Sequence, residues 1–198
     1  MDITLLEATR PNRRPSKRPG RADAMGRIAC CLARRAYTAP MAVSSPELKA
    51  FLLATPFFGG LTGASLDLLI SMLVERSFAA GETVVAEGEP GRSLFVVRSG
   101  QLAVHKQTNS GRAFRMSSLA AGDFFGEMTL IEMQNRSATV VVESPTVLYE
   151  LTAQNLYACY KADIHAYVIV MQNISRELCR RLRRADDRFA KSLMLKAE

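Results

Sequence analysis

With 198 residues, 48% of them hydrophobic and 23% charged, the chain has the profile of a soluble globular protein of about one domain. No apolar run approaches the ~20 residues that a bilayer-spanning helix needs. The net charge of +7 is unevenly spread, +6 over residues 1–40, −2 over 41–162 and +3 over 163–198, so a DNA-reading surface on the body of the fold is not required.

Residues 1–44 are a basic segment rich in Arg, Pro and Ala, with no sustained apolar period. Such a stretch cannot bury enough surface to offset its ordering entropy. It reads as a disordered arm, as sequence upstream of a later start at Met25 or Met41, or as an organellar targeting peptide carrying the unusual acids Asp2, Glu7 and Asp23. Arg13-Arg14-Pro15-Ser16 also fits the site of a basophilic kinase. The four cysteines (Cys30, Cys31, Cys159, Cys179) have no C-x-x-C spacing. Reduced thiols in the cytoplasm are expected. The two histidines, His105 and His165, lie near no other metal ligand in sequence, so no metal is expected.

Structure is predicted to begin at Ser45, an N-cap followed by Pro46 at the first helical position, with Leu48, Phe51 and Leu52 on one face. A second helix follows Thr62, with Leu66, Leu69, Ile70 and Leu73 at helical spacing. From Val74 to Leu151 short runs rich in Val, Phe, Thr and Leu are punctuated by glycine about every ten residues. That pattern predicts an antiparallel roll or barrel, with a tight hairpin turn at Ser99-Gly100 and a longer one at Asn109-Ser110-Gly111. Thr152 is read as the cap of a short helix, and a long helix is predicted from about Asp163 to Ser192. Along it Ile164, Val168, Met171, Ser175, Leu178, Leu182, Ala185 and Phe189 recur at alternating spacings of four and three. This is the seam of a coiled coil, so a parallel homodimer about this helix is expected, the alternative being a stripe that packs on its own roll.

Between strands lies Gly122-Asp123-Phe124-Phe125-Gly126-Glu127-Met128-Thr129-Leu130-Ile131, followed by Arg136-Ser137-Ala138-Thr139. Gly126 permits a close backbone approach, and one helical turn after it would offer free amides to an anion. Arg136, opening the next strand, can offer a guanidinium fork to a phosphate. Ser137 adds a hydroxyl and Ala138 an amide. Glu127 is an acceptor beside this anion site, which suits a ligand with hydroxyls. A phosphate fused to a ribose meets both demands.

These residues, with Phe78-Ala79-Ala80-Gly81-Glu82, Glu87-Gly88-Glu89-Pro90-Gly91 and Ser93 to Gly100, closely resemble the cyclic nucleotide-binding domain family, which includes the catabolite activator protein and the regulatory subunits of cyclic-AMP-dependent kinase. The resemblance covers about residues 46–192. It implies an α+β, mainly β fold: an eight-stranded antiparallel β-roll (a jelly roll, or double-stranded β-helix) with N-terminal helices and a long C-terminal helix. Residues 45–160 would be the roll with its flanking helices, and 161–198 the dimerisation or lid helix. By resemblance, Phe125, Gly126, Glu127, Met128, Thr129, Arg136, Ser137 and Ala138 hold phosphate and ribose, with Glu127 accepting the 2′-hydroxyl. Bacterial members approach the base with Thr followed by Ser or Asn after an Arg-rich segment. Here Arg180 to Arg184 are followed by Ala185 and Asp186, and an acid can accept from adenine or guanine. Arg181 is expected to pair with Glu127. Cyclic AMP is the first ligand expected and cyclic GMP the second, with no other cofactor.

Transcription factors of this family carry a helix-turn-helix domain after the long helix. The sequence given has none, nor any kinase, cyclase or channel segment. The expected function is therefore a sensor, not an enzyme, that signals through its long helix to an unidentified protein effector, with neither sequence-specific DNA binding nor membrane association. The alternatives are a DNA-binding regulator without its own reading domain, whose phosphate contacts would weaken with salt, and a dimeric scaffold that binds no ligand.

Overall fold

The structure is a computed structural model and describes residues 45–108 and 111–197. The basic segment 1–44, with its three alternatives and the Arg13–Ser16 match, lies outside the described residues. Helix α1 (Pro46–Ala54) starts where the cap was expected: Ser45 Oγ accepts the Leu48 amide at 3.2 Å. Helix α2 (Gly63–Ser71) follows, burying Leu66 and Leu69. The strands are β1 (Val74–Phe78), β2 (Thr83–Val85), β3 (Ser93–Gln107), β4 (Ala113–Ala120), β5 (Phe124–Phe125) and β6 (Thr139–Thr152). The single turn α3 (Met128–Ile131) lies between β5 and β6, and α4 (Ala153–Ala162) and α5 (Ile164–Ala197) close the chain.

All pairings are antiparallel. β6 and β3 run side by side, flanked by β1 and β4, while β2 pairs with β6 and β5 with β3. The roll thus has six strands, two of them long and bent; with the two halves of β3 and of β6 taken separately, the expected eight are recovered. The bend is where the hairpin at Ser99-Gly100 was predicted, and no hairpin is there. β3 continues through both residues, and its register against β6 shifts between Val97 and Leu102. Gly100 has φ +98°, and a Cβ on it would lie 2.1 Å from Thr146 Oγ1. The glycine serves a strand corner packed against its neighbour, a demand that looks like a turn in sequence. Of the second predicted reversal, Asn109 and Ser110 lie outside the described residues; on either side of them β3 and β4 pair antiparallel, and Thr108 N–H donates to the Arg112 carbonyl.

Side chains alternate across a strand, and here both faces of the central strands are buried. Leu94 and Val96 of β3 join Phe124, Tyr149 and Leu151 in a core shared with the helices, which contribute Leu52, Leu69, Val170 and Ile174, and with Phe57 of the turn after α1. Phe95 and Val97 enter a second core inside the roll, with Leu102, Phe125, Val140, Val142 and Leu148. The run Leu94-Phe95-Val96-Val97 is continuous in apolar character because consecutive residues serve different cores.

Asp163 caps α5 by accepting the Ala166 amide at 3.0 Å. The helix then lays Ala166, Val170, Asn173, Ile174 and Glu177 against the domain. Asn173 Nδ2 donates to the carbonyls of Phe57 (3.0 Å) and Gly59 (2.7 Å), fastening α5 to the turn after α1. This attachment carries the second half of α5 past the mouth of the roll.

Candidate functional site

A cleft of about 470 Å³ lies between the open end of the roll and α5. Its floor comes from β2, β3, β5 and the start of β6 (Val85, Val104, Phe125, Val140); one wall is the segment Gly126–Thr129, and the other is α5. Its volume is in the range of small-molecule sites. Lys106, Arg136, Arg181, Arg184 and Arg188 line it, against the acids Asp123, Glu127 and Glu177, so the cleft favours an anion.

Arg136 is buried, with 7% of its surface exposed. Its backbone is strapped on both sides: its amide donates to Glu89 O at 2.8 Å, and its carbonyl accepts Gly88 N–H at 2.9 Å. Its Nη1 donates to Ser93 O (2.8 Å), Thr129 Oγ1 (3.1 Å) and Gly126 O (3.3 Å), and the guanidinium lies 5.8 Å from the Phe95 ring centroid. Two glycines permit this approach. A Cβ on Gly126, whose φ is +85°, would be 2.6 Å from Nη1, and a Cβ on Gly91 would be 2.2 Å from Nε. Gly126 was expected from the sequence. Gly91 was visible as a turn signal and as one of the residues carrying the resemblance, without a site role, and its closeness to Arg136 depends on the fold. The guanidinium is thereby held rigidly where the cassette meets β6, which is what a phosphate fork needs.

Glu127 is almost wholly buried (2% exposed). Arg181, reaching across from α5, places Nη1 2.9 Å from Oε1, and Oε2 is buried with no hydrogen-bond partner among the described residues. Burial raises the carboxyl above its usual 4.5, the nearby Arg181 opposes the rise, and burial prevails. Arg181 also donates to the Phe124 carbonyl and to Glu177 Oε1 (3.3 Å), and stacks 5.2 Å from the Phe124 ring. The expected pairing of Arg181 with Glu127 is present.

Ser137 is exposed beside the cassette, its hydroxyl 3.6 Å from Met128 Sδ. Ala138, Met128 and Thr129 line the cleft, as does Phe125. Lys106 Nζ closes the rim, donating at 2.6 Å to both Glu87 Oε1 and Ser137 O, and this contact holds the Glu87 carboxyl below its usual range. Ala185 and Asp186 are exposed and stand outside the cleft lining. The reason is helical phase: Asp186 is about 140° around the helix from Arg181, and the methyl of Ala185 does not reach the cleft. Glu177, Arg184 and Arg188 take that wall instead; of these the sequence showed only Arg184, as the end of the Arg-rich segment and with no site role. Their spacing with Arg181 (177, 181, 184, 188) is one helical stripe, legible once the wall is known.

A β-roll with a cationic cleft, a buried acid beside a buried arginine and a helix across the mouth defines a small-ligand-binding domain. Residues 75–163 match the family model described as the cyclic nucleotide-binding domain, and this part of the chain belongs to that family. The Cyclic AMP receptor protein of Thermus thermophilus is 32% identical over 132 residues, covering 67% of this chain and 59% of that protein. The cGMP-dependent protein kinase of Eimeria tenella is 37% identical over 101 residues, covering 51% of this chain but only 10% of the kinase. The crystal structure of the Thermus thermophilus Catabolite Activator Protein superposes with a TM-score of 0.61 at 30% identity, covering 68% of this chain and 62% of that one. The chain therefore spans less than two thirds of the length of each of these relatives. No helix among the described residues is long and apolar enough to cross a membrane.

Proposed function

We propose that this chain is a non-catalytic sensor that binds a 3′,5′-cyclic purine nucleotide in the cleft and reports occupancy through α5 to a protein effector. The observation that carries the reading is Glu127: a buried carboxylate with one oxygen held by Arg181 and the other without a hydrogen-bond partner among the described residues. A buried acceptor is costly unless a donor meets it, and a ribose 2′-hydroxyl is such a donor. Arg136, on the same side of the cleft, supplies the fork for the cyclic phosphate, with Ser137 and the amides of the cassette beside it. The ligands in the names of the relatives, cyclic AMP and cyclic GMP, fit both demands. α5 takes part because Arg181 ties it to Glu127; a hydroxyl on Glu127 changes what Arg181 holds, and with it the seat of the helix.

The exposed apolar stripe of α5 supports a homodimer, and the free thiols Cys159 and Cys179 suit a reducing cytoplasm. Calorimetric titration of the full chain with cyclic AMP and cyclic GMP tests the reading. Micromolar binding of at least one is expected, weakened in Arg136→Ala by about 2–4 kcal/mol, or roughly 30- to 1000-fold, for the loss of a charge-assisted fork. If neither nucleotide binds, the domain is a scaffold and the cassette assignment fails.

A further inference from the structure

The α5 wall of the cleft extends beyond the residue that reaches Glu127. Arg184 and Arg188 follow Arg181 on the next two turns and line the same cleft. Arg188 Nη1 lies 3.4 Å from the carbonyl of Met116 in β4, so this end of the helix crosses the strand that forms the opposite edge. Arg181 is committed to Glu127, Glu177 and Phe124 O. Arg184 has no hydrogen bond or ion pair among the described residues. The acids of the cleft are placed differently: Glu127 is at the cassette end, Glu177 holds Arg180 and Arg181, and Asp123 accepts the Ala120 amide at 2.8 Å. The part of the wall beyond Arg181 is therefore rich in hydrogen-bond donors.

This distribution bears on which base fits. A nucleotide with its phosphate at Arg136 and its ribose at Glu127 has only its base left to extend along α5. The Cα of Arg188 is about 10 Å further along the helix than that of Arg181, so Arg184 and Arg188 are the α5 side chains beyond the ribose. A guanidinium has donors and no acceptor. Guanine presents two acceptors on one edge, O6 and N7, which an arginine fork matches; adenine replaces O6 with an amino donor. Resting on the proposed binding of a cyclic nucleotide, we infer that Arg184 and Arg188 are specificity-determining residues that read the O6/N7 edge of a 6-oxopurine and so favour cyclic GMP over cyclic AMP.

Calorimetric titration of the full chain with cyclic GMP, cyclic AMP and cyclic IMP, on the wild type and on Arg184→Ala/Arg188→Ala, tests this. Cyclic IMP carries O6 and N7 but lacks the 2-amino group. Both 6-oxo nucleotides are expected to bind about 5- to 150-fold tighter than cyclic AMP, the range for one good bidentate pair. In the double variant the three affinities should come within about threefold of one another, because only the 6-oxo ligands lose the fork. A wild type without preference, or with preference for cyclic AMP, overturns the inference while leaving nucleotide binding intact. So does cyclic IMP tracking cyclic AMP, or a double variant that weakens all three equally, which would make the arginines a general field for the phosphate. Binding of none of the three overturns this inference and the proposed function together.

Discussion

A Cβ on Gly91 would lie 2.2 Å from Nε of Arg136 and 2.5 Å from its Cζ, so the guanidinium occupies the space that any other residue type at 91 would fill. Gly91→Ala is therefore expected to act on the phosphate site from a position that carries no ligand-binding group. Either the Glu87–Gly91 loop or Arg136 must move, and overpacking of this kind costs about 1–3 kcal/mol of stability. Thermal denaturation should show that loss, and nucleotide titration should show an affinity reduced about tenfold or more. Wild-type values for both would mean that Arg136 has another seat available.

Arg136→Lys separates charge from geometry. The guanidinium reaches Ser93 O, Thr129 Oγ1 and Gly126 O from one nitrogen while its remaining donors are held in a plane. An ammonium keeps the charge but is a compact point donor on a flexible stem. Affinity is expected to fall most of the way towards that of Arg136→Ala. Retention of more than about a third of wild-type affinity by titration would show that the site needs only a positive charge.

The cassette was legible because its residues are contiguous and each has a single chemical use. Gly126, Glu127 and Arg136 are close in sequence, and the structure brings them together as expected. What was not legible depends on long-range contact. Gly100 carries the same signal as a hairpin glycine, yet it shapes a corner inside β3, because Thr146 of a strand over forty residues away fills the place of its side chain. Gly91 is one of several loop glycines until Arg136 is folded against it. On α5 the resemblance directed attention to Ala185 and Asp186, whereas the seating of Ala166, Val170, Asn173 and Ile174 against the domain fixes the phase that turns 177, 181, 184 and 188 into the cleft. Phase is set by the whole buried stripe, so a two-residue motif at its end is a poor guide.

Glu127 should make both stability and binding depend on pH. The groups facing it are Arg181 and Glu177 of α5 and Arg136 of the cassette; burial, with the Glu177 charge adding to it, outweighs the two arginines and raises its pKa above 4.5. A carboxyl with a raised folded pKa contributes stability below the unfolded pKa and loses it as pH rises through the folded value. Glu127→Gln should therefore gain on the wild type as pH increases above 4.5, and Arg181→Met, which removes the main opposing cation, should steepen the decline with pH. Denaturant unfolding between pH 4.5 and 8 checks both slopes. Binding should run the other way: protonation removes the ionised acceptor, so affinity falls on acidification, beginning at a higher pH than for an ordinary carboxylate. Parallel pH profiles for wild type and Glu127→Gln would show that Glu127 is not the titrating group.

The outward stripe of α5 is an apolar surface that calls for a partner. Ile164, Val168, Leu182 and Phe189 are 60%, 44%, 62% and 65% exposed, while Met171 and Leu178 of the same predicted seam, like the opposite face of the first half of the helix, pack on the domain. At 34 residues, about 50 Å long, α5 extends beyond what the roll can cover, and the four-three spacing suits a second copy of the same helix. Burying a Leu or Phe stabilises by about 1.5–3 kcal/mol, a gain each chain of a dimer would realise. The wild type is expected to sediment as a dimer at micromolar concentration, and Leu182→Glu/Phe189→Glu as a monomer, since four carboxylates would then face one another across the seam. The substituted positions lie outside the cleft lining, so nucleotide affinity measured on the monomer tells whether each cleft is complete within its own chain. A wild type that stays monomeric at about a hundred micromolar would rule out the seam as a self-association surface and leave the stripe to the effector.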